Sequence, residues 1–162
     1  MKTSFRIVGL PLATFAPLFS LNETALAEKN AQRVVADQKP GFPCRVSLKD
    51  AEAGESLILF PFAHHSTDSP YRASGPIFVR ENAKEAALSP NEIPAAVRSR
   101  LLSVRAYDET GMMLDAEVTE GSNLEMQIER FFADPRISYL HLHNARPGCY
   151  SCRVERVQEM GH

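Results

Sequence analysis

The chain has 162 residues, 44% of them hydrophobic and 23% charged, with a formal net charge of -2. Such a chain is long enough to bury one core, and its balance of apolar and charged residues excludes disorder. Lysine and arginine are scattered along the length, which leaves no electrostatic footprint for nucleic acid, and no apolar run reaches the roughly 18 residues needed to cross a bilayer.

A single soluble domain over residues 1–162, with its core between about 5 and 157, is therefore expected. Its first stretch imitates an export signal: Lys2 and Arg6 precede an apolar run from Ile7 to Leu21 and an Ala25-Leu26-Ala27 triplet. Pro11 and Pro17 interrupt that run, and the triplet sits in a segment with helix-start signals, Ser20 or Asn22 as cap and Glu23 in the first turn. Cys44, Cys149 and Cys152 are an odd, sparse set unlike a disulfide framework. Together these favour the cytoplasm, with export through residues 1–27 as the alternative.

Phe5–Val8 reads as a strand, and Phe15, Leu18 and Phe19 recur at helical spacing ahead of a helix over 22–29. Short strands are predicted at Arg33–Ala36, Arg45–Leu48, Leu57–Phe62 and Ile77–Val79, and a short helix from Pro94 to Arg100. A hairpin follows, with Gly111 left-handed in its turn, Ala106 opposite Leu114 and Val104 opposite Ala116. That register would put an Arg105–Asp115 ion pair on the outer face. Ser122 and Glu125 spell a capping box for a helix whose apolar stripe is Leu124, Ile128, Phe131 and Phe132, ending at Asp134-Pro135. The sum is an α+β fold: a mostly antiparallel sheet covered by two or three short helices.

The last hairpin carries the chemistry. Tyr139, His141 and His143 share one face and Leu140 and Leu142 the other, while Tyr150, Cys152 and Val154 form the apolar set of the return strand. A five-residue loop over 144–148 would set His143 against Cys149, His141 against Ser151 and Leu142 against Tyr150. In an extended strand the two sulfurs of Cys149-Tyr150-Ser151-Cys152 point to opposite faces, so this CxxC is not read as a redox or zinc pair.

Three functions remain open. The leading one is a small-molecule binding or accessory domain for an anionic ligand, using His64, Tyr71, Arg72, Asn144, Arg146 and Arg153. The second is a cysteine-dependent enzyme with Cys149 as nucleophile and His143 or His141 as base, oriented by Asn144 or Ser151. The third draws on the same atoms for a metal, with His141, His143 and Cys149 as ligands and His64 or His65 completing the set. The chain has no phosphate-cradling glycine loop, no GxSxG and no HExxH, so no cofactor is expected, and partners beyond a small molecule and the oligomeric state are left open.

The segments Gly41-Phe42-Pro43-Cys44-Arg45-Val46-Ser47-Leu48, Ser69 to Arg80, and His141-Leu142-His143-Asn144-Ala145-Arg146 with Gly148-Cys149-Tyr150 resemble a bacterial family of unknown function, number 1203. The resemblance implies that the N-terminal segment belongs to the domain, through a Phe-x-x-Leu-Phe pattern like Phe15 to Phe19. It also implies that a cysteine at Cys149 is usual, whereas one at Cys152 is a departure.

Overall fold

The computed structural model describes residues 3–157; Lys2 of the signal-like start and His162 lie outside them. Among the described residues, eight strands form two antiparallel sheets, joined by four short α-helices. The five-stranded sheet has the order β1 (Phe5–Val8), β8 (Tyr150–Arg156), β7 (Tyr139–Asn144), β5 (Leu101–Tyr107), β6 (Met113–Glu120). The smaller sheet is β2 (Gln32–Val35), β3 (Ser56–His65), β4 (Ala73–Arg80). The fold is α+β, as the short strands, antiparallel hairpins and few helices of the sequence predict.

Period-two alternation decides what each face of the large sheet meets. Leu102, Val104 and Ala106 of β5, Leu140 and Leu142 of β7, and Cys152 and Val154 of β8 line one face. On it packs the stripe Leu124, Ile128, Phe131 and Phe132 of α4 (Leu124–Phe132). Leu140 is wholly buried here. Leu140→Ala is expected to cost about 2–5 kcal/mol, read from the midpoint of urea unfolding, because removing it leaves a cavity that the packed strands do not refill.

The smaller sheet buries Ile58, Ile77 and Val79 beneath the N-terminal segment. Phe15 of α1 (Leu12–Phe15), Leu18 of the following 3-10 turn and Leu26 of α2 (Glu23–Glu28) pack there. Asn22 caps α2, its side chain accepting from the Ala25 backbone N–H. The signal-like stretch thus supplies core, and β1 pairs with β8 at the sheet edge. Among the described residues no helix is long and apolar enough to cross a membrane.

Four local expectations are corrected. Arg45–Leu48 is not a strand but a buried turn: the Leu48 N–H donates to the Cys44 carbonyl, that of Cys44 to Lys49, and Leu48 sits at φ 57°. In the first hairpin Gly111 does take the left-handed conformation, at φ 84°. A bulge between Ala106 and Tyr107 nevertheless shifts the register by one, so Ala106 faces Asp115, Val104 faces Glu117 and Arg105 faces Ala116. The Arg105–Asp115 pair is absent, Arg105 donating instead to the Ser103 hydroxyl. β6 is an edge strand whose Leu114 and Val118 remain 39% and 55% exposed, so apolar does not meet apolar there.

The capping box does not form either. A 3-10 turn at Gly121–Asn123 precedes α4, no side chain caps it, and Glu125 is taken in a two-bond pair by Arg98, at 3.1 and 2.7 Å. Finally, the last hairpin slips by two residues. Leu142 faces Cys152 and Leu140 faces Val154, with an irregularity beyond Leu142 that sets His143 against Tyr150.

Candidate functional site

The second face of β7 carries Tyr139, His141 and His143, which would meet solvent in a lone sheet. Here the end of β3 lies over it. Neighbouring residues of a regular strand point apart, but β3 is irregular between Phe62 and His65, and both His64 and His65 reach the same face. The His64 ring lies 5.2 Å from that of His143 and stacks on Tyr150 at 5.2 Å; the His65 ring lies 5.0 Å from His141 and 4.2 Å from Tyr107. Tyr107 in turn stacks on Tyr139 at 5.3 Å. The result is an inter-sheet cluster of four imidazoles and three phenols, in which His141 and His143 are each only 2% exposed.

The hydrogen bonds separate the four histidines into two kinds. His65 is satisfied at both nitrogens: Nδ1–H donates to the Tyr71 carbonyl at 2.8 Å, so Nε2 accepts the Tyr139 hydroxyl at 2.6 Å. His143 Nδ1 faces the Gly148 carbonyl at 3.0 Å, which accepts only, so that nitrogen carries the proton and Nε2 keeps a free lone pair. That Nε2 is buried and unpaired, as are Nδ1 of His64 and Nδ1 of His141. Each of these three rings offers a nitrogen, and the three nitrogens lie within 4.8 Å of one another.

Electrostatics keep the rings neutral. Burial first, then His65, Arg153 and the neighbouring histidines push the His141 pKa down to about 2. Burial, with the positive field of Arg105 and of His64 and His65, takes His143 down to about 4 against the raising effect of its Gly148 bond. His64 is lowered for the same reasons, by burial, then His65 and Arg105. Neutral imidazoles are the form that ligates metals.

The other predicted site residues disperse. Cys149 does not face His143. The slipped register makes Asn144 the last strand residue, its N–H donating to the Cys149 carbonyl, and Cys149 instead accepts a hydrogen bond from Arg45 Nη2 at 3.2 Å. Cys149 lines a cavity of about 500 Å³ with Asn144, Arg146 and Arg45, and neither His64, His143 nor Arg72 borders it. Cys152 lies wholly in the helix-covered core, its thiol pushed up to about 12 by burial, so the two sulfurs of the CxxC serve different surroundings. Arg72 is exposed beside Asp68 at 3.4 Å, and Tyr71 is exposed, contributing its carbonyl to His65. Arg153 lies over the Tyr139 ring at 4.1 Å and pairs with Glu155 at 3.0 Å, on the border of the cluster. Ser151 is buried and donates weakly toward Cys152, not to a histidine.

Sequence reasoning missed Tyr107, Tyr150 and Arg45. The signal for Tyr107 was its place on the face of Ser103 and Arg105. Tyr150 was assigned to the apolar face because the irregularity after Leu142 has no local signature, and Arg45 because its turn reads as a strand.

Fold and site together define a two-sheet α+β protein with a buried histidine–tyrosine cluster between its sheets. A family model described as "Protein of unknown function (DUF1203)" matches residues 41–156, and the chain belongs to that family. No curated protein and no solved structure matches it.

Proposed function

We propose that the protein binds one divalent ion of the zinc type through His64, His141 and His143. The observation that carries this reading is the convergence of two buried imidazoles, His141 and His143, and the half-buried His64, each with an unpaired ring nitrogen. A buried polar atom left unpaired costs about 1–3 kcal/mol, and an ion bound by the three rings would remove that cost. Nitrogens around a tetrahedral zinc at about 2.0–2.1 Å stand roughly 3.4 Å apart, so a separation within 4.8 Å needs only a modest contraction. The Gly148 carbonyl on His143 Nδ1 supplies the outer hydrogen bond that orients a ligating imidazole.

Cys149 is replaced by His64 in this ligand set. Three protein ligands leave a position for water or substrate, the arrangement of catalytic rather than structural zinc sites. Arg105 and Arg153 add positive charge nearby, so an anionic fourth ligand suits the site best, which keeps an anionic small molecule within the proposal. Three free cysteines and a signal-like stretch folded into the core support a cytoplasmic location, and the family resemblance a bacterial one.

Protein purified without a histidine tag and stripped with chelator should take up one equivalent of Zn²⁺ by calorimetry, and Co²⁺ in its place should show the visible absorption of a four-coordinate ion. Absence of saturable binding, or uptake only at millimolar metal, would end this proposal.

A further inference from the structure

A second polar centre lies apart from the histidines, around Arg45. This side chain is 2% exposed, and its donors reach the Tyr150 carbonyl from Nε at 2.7 Å, the Pro43 carbonyl from Nη1 and the Cys149 sulfur from Nη2 at 3.2 Å. None of these acceptors is a carboxylate. A guanidinium stays protonated when buried, and burying its charge against neutral dipoles alone costs several kcal/mol. Cys149 is the group in contact with it that is able to supply a full negative charge.

The surroundings point to a ligand as well as to a counter-charge. Arg45 and Cys149 line the cavity of about 500 Å³ together with Asn144 and Arg146. Asn144 is only 6% exposed, yet its Oδ1 has no hydrogen-bond partner. Arg146 is exposed, so the same cavity has a guanidinium within reach of solvent. Cys44 and Cys152 differ: both are buried, and neither borders this cavity.

We propose that Cys149 is a nucleophile for small anionic electrophiles, with Arg45 donating a hydrogen bond to its sulfur and Arg146 drawing the anion into the cavity. The thiol proton is lost to solvent. A sulfur lone pair then forms a bond to the electrophilic carbon, and the leaving group departs with the electron pair of the bond that breaks. Arginine replaces histidine as the activating group, and no step passes through the metal site.

Iodoacetate and iodoacetamide are the probes, with the labelled cysteine located by peptide mass spectrometry. In native protein at neutral pH, Cys149 should react at least about tenfold faster than the same cysteine in urea-unfolded chain, while Cys44 and Cys152 stay unlabelled. The ratio of iodoacetate to iodoacetamide rates should be higher in native than in unfolded protein, and Arg146→Ala should lower the iodoacetate rate alone. Arg45→Gln should remove the acceleration; if that variant fails to fold, the native-to-unfolded ratio of the wild type decides by itself. A native Cys149 that reacts no faster than the unfolded one, or label appearing first on Cys44 or Cys152, overturns the proposal. An Arg146→Ala protein with an unchanged iodoacetate rate overturns its preference for anions.

Discussion

Replacing His141 or His143 by leucine is expected to abolish stoichiometric zinc binding and, for His141 in the metal-free protein, to raise stability by about 1 kcal/mol; at His143 the lost bond to the Gly148 carbonyl offsets that gain. The two effects have opposite signs for one reason. Each ring is almost wholly buried with a nitrogen that no protein group satisfies, so in the absence of metal an apolar side chain of similar size removes an unpaired polar atom from the interior. With metal present the same nitrogen is a ligand, and its loss should weaken binding by at least about 100-fold, beyond what removing an outer hydrogen bond does. His64→Ala should act likewise on affinity.

His65→Gln is the control, because both its nitrogens already have partners in Tyr71 and Tyr139. It should keep zinc binding within about tenfold and lose about 1 kcal/mol of stability. Zinc titrations and urea unfolding of the same four proteins separate these outcomes. A His141→Leu protein that loses several kcal/mol without metal would show that the ring serves packing rather than ligation.

Stability of the metal-free protein should fall steeply as pH drops below about 6.5, well above the range where carboxylates titrate. His141 and His143 are neutral in the folded protein down to about 2 and about 4, against an ordinary 6.5, so below 6.5 the unfolded chain binds protons that the folded one refuses. Their contribution is intact above pH 6.5. It is lost as pH falls, through the window ending near 4 for His143 and near 2 for His141, at about 1.4 kcal/mol per pH unit for each ring.

By pH 5 the loss should reach about 2 kcal/mol per histidine. The groups that face these rings, His64, His65, Arg105 and Arg153 with the phenols of Tyr107, Tyr139 and Tyr150, offer no carboxylate to stabilise an imidazolium. Urea unfolding at several pH values checks this, and the two leucine variants should each flatten the slope. A midpoint unchanged between pH 7 and pH 5 would mean that the rings take up protons freely in the folded state.

The elements that were legible in the sequence are those whose signal is local. The stripe Leu124, Ile128, Phe131 and Phe132 needs only the helical period, a cap at Ser20 or Asn22 only its own neighbours, with the structure choosing Asn22, and the left-handed Gly111 only its turn. The buried turn at Arg45–Leu48 was misread because its apolar residues are buried by tertiary packing without strand pairing.

The same division holds for the site. Alternation along β7 was enough to place Tyr139, His141 and His143 on one face, apart from Leu140 and Leu142, because side-chain direction in a strand has a period of two whatever its partners are. That period is also what concealed the pairing. A slip of two residues leaves the side chains of a regular pair on their own faces, so the pattern cannot tell Leu142 opposite Tyr150 from Leu142 opposite Cys152, and the irregularity beyond Leu142 moves Tyr150 to the histidine face unannounced. Only the closed structure moved Cys149 away from His143 and onto Arg45, more than a hundred residues earlier in the chain. It alone, through the irregular end of β3 and the packing of one sheet over the other, brought His64 to His141 and His143. The sequence by itself determined which histidines share a strand face; the fold decided which of them meet, because contact between distant strands depends on register and sheet packing that no local pattern encodes.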